Sequence, residues 1–404
     1  VSSPIMLTPQ AYRELCDVAV RCVAILEKSF RSLGTTPAAR ARRLGVDWDA
    51  YRAAHPYFLP DPAEELWSAA VARPDLVFSD TGPKLLEANI GTALGGVAQC
   101  DLLRSFWAGP SGMALSSDDP KVMEGLARLV LEYARATGVE PRAALLGLPE
   151  YQSPDARGGY RFEAAALRAR GIDAEAVGPG ELLRRMAARP GSPWPLALRR
   201  NRPDRWRSAR LGSTPLRRLV ARGCHVLCPQ SAFLMADKRL LALVSTGRVP
   251  LDREEAAFVE RYVPWTRAVH PGTVAYQGDV MAMEKLLLAR RDAFVLKRGA
   301  GRGGVEVIAG REQVPERWAA AVRGALHAGD WIVQEFQDVV PATLPVATAQ
   351  GAAGSRRFSV VLSPFVVLGR THGCVTRCLN ADGPAVISTT AGATANIALP
   401  AART

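Results

Sequence analysis

Lysine is scarce in this chain of 404 residues. Six positions carry it (Lys28, Lys84, Lys121, Lys238, Lys285 and Lys297), and the rest of the 51 basic residues are arginine. The formal net charge of +12 is therefore a guanidinium excess, a composition bias rather than a polybasic tail. A lysine that persists in such a background is a candidate point charge for phosphate. Long apolar runs are missing as well. The best stretch, 358–368, falls short of the ~20 residues that cross a bilayer and is broken by Pro364, so no membrane segment is expected. Nor does a basic segment followed by an apolar block open the chain, which makes a cytoplasmic location the expectation. Seven cysteines, an odd number, argue against a disulfide framework. Cys224 and Cys228 share their spacing with Cys374 and Cys378, as a four-thiolate zinc site would permit. Both pairs lie in strand-like sequence, however, where positions i and i+4 are ~13 Å apart, so packed free thiols are the expected state. Histidines are few and scattered (His55, His225, His270, His327, His372) and suggest no catalytic arrangement.

What is present is a globular composition. At 48% hydrophobic and 22% charged residues the chain is not wholly disordered. Its length, at ~150 residues per domain, points to two or three domains. The first third reads as mostly helical: Leu15, Val18, Cys22, Ile25 and Leu26 follow helical spacing, as do Leu126, Leu129, Val130 and Tyr133. Residues 85–89 suggest a short strand between them. From about Pro141 a strand at 144–148, a helix at 162–170 and a strand at 174–177 form a β-α-β unit. Eight arginines crowd 199–218 beside Trp194 and Trp206; with Pro203 and Pro215 in it, this stretch suits a solvated loop or anion-facing strand end better than a nucleic-acid surface. Thereafter strands are expected at 225–227, 293–297, 305–308 and 331–336, helices at 239–244, 280–290 and 318–326, and a pairing of 358–362 with 365–368. The fold class is α+β. The expected domains are a helical N-terminal part at 1–140, a β-α-β substrate-binding domain at 141–220 and a nucleotide-binding domain at 221–404.

Three segments carry candidate chemistry. Residues 294–297 lead Lys297 into Gly299, Gly301, Gly303 and Gly304, and a strand that delivers an ammonium to bare N–H groups can cradle phosphate. No GK[ST] follows, so this is not a P-loop, and a purely structural glycine hairpin remains the alternative. Residues 331–336 end in Gln334, Glu335 and Phe336; such a strand edge could pair an adenine while the carboxylate reaches the ribose, or could simply be core. Glu87 and Asn89 stand two apart on a strand and so face one side, as a magnesium site between phosphates needs.

In this order the segments resemble the circularly permuted ATP-grasp ligases, the group of eukaryotic-type glutathione synthetase and glutathionylspermidine synthase, over roughly residues 85–393. The resemblance implies an ATP-grasp fold in permuted order. Lys238 and Lys297 would hold the α/β-phosphates, and the loop containing Gly299, Gly301, Gly303 and Gly304 would cover the γ-phosphate. Gln334, Glu335 and Phe336 would form the adenine hinge, and Glu87 and Asn89 would bind Mg2+. Arg377, near Asp382, Gly383 and 391–393, would neutralise the acyl phosphate, with Lys297 and Arg377 as the catalytic residues. The glycine loop lacks the family's acidic metal ligand, which leaves Glu306 as a substitute, and the turn after Asn89 lacks the serines that recognise a glutamyl group. The implied activity is ADP-forming ligation of a carboxylate to an amine, joining amino acids or small peptides, with ATP and Mg2+. A nucleotide-binding scaffold without turnover is the alternative. Small-molecule acid and amine substrates, no nucleic acid, no membrane and a possible homodimer complete the expectation. Arg157, Arg161, Arg199 and Arg200 lie where a substrate carboxylate could be met.

Overall fold

The computed structural model describes residues 3–54, 66–108, 120–147, 154–188, 190–200, 214–227, 231–301, 303–304, 306–347 and 353–401. Its largest sheet has seven strands, drawn from both ends of the chain. The order is Ile5–Leu7, Thr394–Pro400, Arg370–Asn380, Ala353–Val367, Val71–Ser79, Gly82–Ile90, and Ala342–Ala347 also pairs with Ala353–Val367. All pairings are antiparallel except that of Ile5–Leu7 with Thr394–Pro400.

Both faces of this sheet are covered, because side chains alternate across a strand. Cys374 and Ala398 join the core beneath the long helix Pro9–Ser32, whereas their neighbours Val375 and Ile397 join the core beneath Val97–Ala108 and Val122–Thr137. The long helix starts where Thr8 accepts a hydrogen bond from Ala11 N at 3.2 Å and Pro9 occupies the first turn, where its missing N–H is not needed.

A second, four-stranded antiparallel sheet runs Val307–Ala309, Phe294–Arg298, Trp331–Glu335, Thr266–Ala268. Helices Met283–Ala289 and Pro315–Ala328 pack on it through Leu286, Leu287, Trp318 and Val322. A third sheet is wholly parallel, in the order Asp173–Val177, Arg142–Leu146, Leu196–Arg199, His225–Leu227. Its central strands are apolar on both faces, as a sheet covered by helices on both sides requires.

The mixed α+β reading and the β-α-β unit agree with this architecture, but several local expectations do not. The first third is mostly helical, yet in place of one short strand at 85–89 it contributes two nine-residue strands, Val71–Ser79 and Gly82–Ile90. Residues 279–282 pair with Thr273–Tyr276 as a hairpin, and the helix expected from 280 begins only at Met283. Residues 358–368 do not fold back on themselves. They belong to one strand, Ala353–Val367, which runs through Pro364 at an irregularity in its pairing and turns at Leu368 and Gly369 into Arg370–Asn380. A proline is tolerated at such a break because a ladder hydrogen bond is already missing there. Among the described residues no helix is long and apolar enough to cross a membrane.

Candidate functional site

The site is built on the hairpin of Val71–Ser79 and Gly82–Ile90. Its register sets Arg73 opposite Asn89 and Asp75 opposite Glu87, with an irregularity just after Asp75. Four polar side chains thereby gather at one sheet surface. Asn89 Nδ2 donates to Asp75 Oδ2 at 3.2 Å and lies 3.5 Å from Glu87 Oε1. Asp75 is 1% exposed and receives hydrogen bonds from Ser363 Oγ at 2.7 Å and from Arg377 at 2.6 Å, with Arg73 Nε 3.6 Å away. Burial by itself would raise its pKa; the guanidinium groups of Arg377 and Arg73 and the Ser363 hydroxyl outweigh that and hold it at about 2.

Two lysines reach this surface from other elements. Lys238 opens the helix Lys238–Ser245, whose N-cap Asp237 accepts from Arg239 N at 2.9 Å and also grips the Arg239 guanidinium. Lys238 N donates to Gly299 O at 3.0 Å, and its Nζ donates to Gly301 O and lies 3.3 Å from Glu87 Oε2. Gly299 allows this approach, since a Cβ there would stand 2.7 Å from Asp237 Oδ1 and 2.8 Å from Arg239 Nε. Lys297, on the second sheet, is 7% exposed and donates to Gln334 Oε1 at 2.6 Å and to Leu86 O at 3.1 Å. Its pKa is lowered to about 8, first by burial and also by Lys238, against the opposing pull of Glu87 and Asp75.

Lys297 and the sheet residues open onto a cleft of ≈ 190 Å³ between the large sheet and the second sheet. Val295, Val307, Val339 and Val361 make its apolar walls, and Glu335, Phe336 and Gln337 line it together with Lys297, Glu87, Asn89 and Arg377. Gly303 and Gly304 also line it, both with positive φ, and Gly304 packs against Ser388 of the opposing segment. A second cavity of ≈ 210 Å³ shares Arg73, Glu87, Asn89 and Gly303 with the first, and adds Lys238, Gly301 and an apolar side that includes Leu94 and Phe233.

Sequence-expected residues from four distant segments thus surround one space. Gly299 lies behind it against the Asp237–Arg239 pair. Gln334 is 1% exposed and spends its side chain on Lys297 and Thr266. The N–H groups of Glu335 and Phe336 donate to Trp265 O and Ala293 O, both at 2.8 Å. Glu306 is held by Arg298 at 2.7 Å and is not among the residues lining either cavity. Asp382 is exposed and does not line the cleft; the neighbouring residues 385–389 do. Arg157 and Arg161 are exposed, Arg199 buried and Arg200 half-buried, and residues 201–213 lie outside the described residues, as does Cys228. Arg200 is engaged by Glu163 at 2.8 Å and by the carbonyls of Thr92 and Leu94.

Arg73 and Asp75 belong to the site without being marked in the sequence. An alternating pattern through Arg73-Pro74-Asp75 is hard to see, and only the pairing with Glu87 and Asn89 reveals them. The donors available to a metal are oxygens of Glu87 and Asn89, because Asp75 spends both of its carboxylate oxygens on Ser363, Asn89 and Arg377. Among the described residues no cluster of three or more His, Cys, Asp or Glu side chains could hold an ion by itself. Such a set excludes a closed structural site and suits Mg2+, which binds through one or two carboxylates and fills its shell with phosphate and water oxygens.

No protein-family model and no curated protein matches the chain. Its structure is similar to that of a glutathione synthetase-like effector from Globodera pallida, with a TM-score of 0.57 and 12% identity over 98% of this chain and 89% of that one. At that identity the likeness is one of fold. Lower scores relate it to a candidate gamma-glutamylcysteine synthetase from Methylobacillus flagellatus (TM-score 0.46, 11% identity, 98% of this chain and 90% of that one). A D-cycloserine synthetase scores 0.33 at 17% identity over 64% of this chain and 72% of that one.

Proposed function

We propose that this chain is an ADP-forming ligase of permuted ATP-grasp type, which activates a carboxylate with ATP and joins it to the amine of an amino acid or small peptide. The observation that carries the reading is the convergence of Glu87, Lys297 and Arg377 on one cleft, with Lys238, in the adjoining cavity, bringing its Nζ 3.3 Å from Glu87 Oε2 and Lys297 Nζ 3.1 Å from Leu86 O. A phosphoryl transfer needs position and positive charge more than a covalent nucleophile, and those are what these residues supply.

In this reading the valine-lined part of the cleft takes the base. With the N–H groups at 335 and 336 already engaged, base recognition draws on carbonyl oxygens and on Gln337. Lys238 and Lys297 face the phosphates, and Gly303 and Gly304 bring bare backbone up to them. Glu87 and Asn89 would hold Mg2+, which would supply charge neutralisation for the phosphates. The substrate carboxylate attacks the γ-phosphorus, the bond to the ADP oxygen breaks, and the acyl phosphate is then captured by the amine, which loses a proton as inorganic phosphate leaves. Arg377 and Arg73, flanking Asp75, stand where the anionic acyl phosphate needs countercharge.

The test is ADP release across a matrix of acids and amines, with Lys297→Ala as the blank. Release that requires both partners, and an acyl hydroxamate when hydroxylamine replaces the amine, are expected. Tight ATP binding with no turnover in any combination would reject catalysis in favour of a nucleotide-binding scaffold.

A further inference from the structure

We infer that Tyr276 is a positioning residue that fixes the Glu335 carboxylate for contact with the ribose hydroxyls of the nucleotide, an inference that rests on the nucleotide reading of the cleft. Tyr276 does not line the cleft; Glu335 does. The tyrosine ends the strand Thr273–Tyr276, which among the described residues pairs only with Asp279–Ala282. Its side chain is 5% exposed, and its ring stands edge-on to Trp265 and to Phe294, with centroids 5.1 Å away in each case. A ring so confined cannot swing its hydroxyl elsewhere.

That hydroxyl donates to Glu335 Oε1 at 2.8 Å. Because Glu335 N is also tied to Trp265 O at 2.8 Å, the backbone and one carboxylate oxygen are both held, which leaves Oε2 as the oxygen to meet a ligand. Burial and the adjoining Glu335 push the tyrosine pKa up to about 12, so the group stays a donor at any working pH.

The turn beyond Tyr276 is built for the same end. Gln277 has φ 51 and Gly278 φ 89, the left-handed pair of a tight hairpin turn. A left-handed residue other than glycine costs about 1–2 kcal/mol, so Gln277 is an unfavourable choice on backbone grounds. Its side chain gives a reason for it: Nε2 donates to the Tyr276 hydroxyl at 3.2 Å, and Oε1 accepts from Arg290 at 2.9 Å. Every donor in this chain of groups points toward Glu335. The outermost link, from Arg290, is exposed and contributes little, whereas the two nearer the carboxylate are partly buried and carry the effect.

The experiment is calorimetric binding of ATP and of 2′-deoxyATP, each with Mg2+, to the full chain and to its Tyr276→Phe variant. Phenylalanine keeps the ring contacts, and an unchanged melting temperature confirms that the fold persists. The wild type is expected to prefer ATP. In Tyr276→Phe, ATP binding should weaken ~10-fold while 2′-deoxyATP changes less than about twofold, so that the preference collapses. Equal weakening of both nucleotides, or an intact preference, overturns the role of Tyr276 while leaving nucleotide binding in place. A collapse as large in Arg290→Ala would assign the effect to the turn instead and also overturn it. Failure of the wild type to bind either nucleotide refutes the nucleotide reading itself.

Discussion

Asp75 and Arg377, 302 residues apart in the chain, share a 2.6 Å hydrogen bond in which the carboxylate is almost wholly buried. The bond joins two strands of the large sheet separated by Ala353–Val367, whose Ser363 closes the contact from between them at 2.7 Å. It makes the hairpin carrying Glu87 and Asn89 and the strand carrying Arg377 into one rigid wall of the cleft.

Replacing Asp75 tests that wall. Its carboxyl is ordinarily near 3.8 and is held at about 2 in the fold. A depressed acid contributes stability that is complete above its unfolded value and is lost as pH falls through the folded one. The wild type should therefore lose about 2 kcal/mol between pH 4 and 2 that Asp75→Asn does not lose. Denaturant melts across that range decide it, and parallel curves for the two proteins would contradict the assignment.

Lys297 works in the opposite range. Its ammonium is held at about 8, below the ordinary 10.5, chiefly by burial, so the apo protein carries a desolvation penalty below pH 8 that is relieved as pH rises. The charged form is the one that binds phosphate. Nucleotide affinity should accordingly fall as pH passes from 7 to 9.5, and Lys297→Arg, whose guanidinium does not titrate there, should flatten the profile. Titrations at four or five pH values would reveal identical slopes if Lys297 faces no phosphate.

Two glycines of the loop separate steric from conformational demands. At Gly303 φ is +70 and no atom lies within 4 Å of where a Cβ would stand, so Gly303→Ala should cost only the left-handed penalty, about 1–2 kcal/mol. Gly299 has no such φ, but its Cβ would meet Asp237 Oδ1 at 2.7 Å and Asp330 O at 3.0 Å. Gly299→Ala should be the more damaging of the two in thermal melts and should weaken nucleotide binding through Lys238. The reverse order would mean that the loop relaxes around residue 299.

Glu163 and Arg200 form an ion pair at 2.8 Å with both side chains 5% exposed, and the arginine also holds the turn after Asn89 by its carbonyls. Glu163→Ala leaves a buried guanidinium uncompensated and should lower stability by about 3–5 kcal/mol. The double change Glu163→Met with Arg200→Met should cost less than the single one, a comparison that equilibrium unfolding makes directly.

What could be read without coordinates followed from local patterns. The run from Phe294 to Lys297 announces a buried strand, Asp237 before Lys238 announces a helix start, and both are found, as Phe294–Arg298 and Lys238–Ser245. Periodicity and capping depend on neighbours within a turn or two, so the sequence carries them. Where pairing with a remote strand decided the outcome, local reading failed: Asp279 looks like a helix cap, yet hairpin pairing with Tyr276 makes it a strand.

The same division separates the site's parts. The chemistry on offer is legible in the amino acids alone: two lysines kept in an arginine-rich chain, a glycine loop, an acid and an amide two residues apart on a strand. It took the folded chain to bring Asp75 and Arg73 to them, to engage Gln334 with Lys297, and to turn Glu306 to Arg298 instead. The physical reason is register: a one-residue change in strand pairing turns every side chain to the other face, and that register is set by the packing of the whole sheet, which no short stretch of sequence encodes.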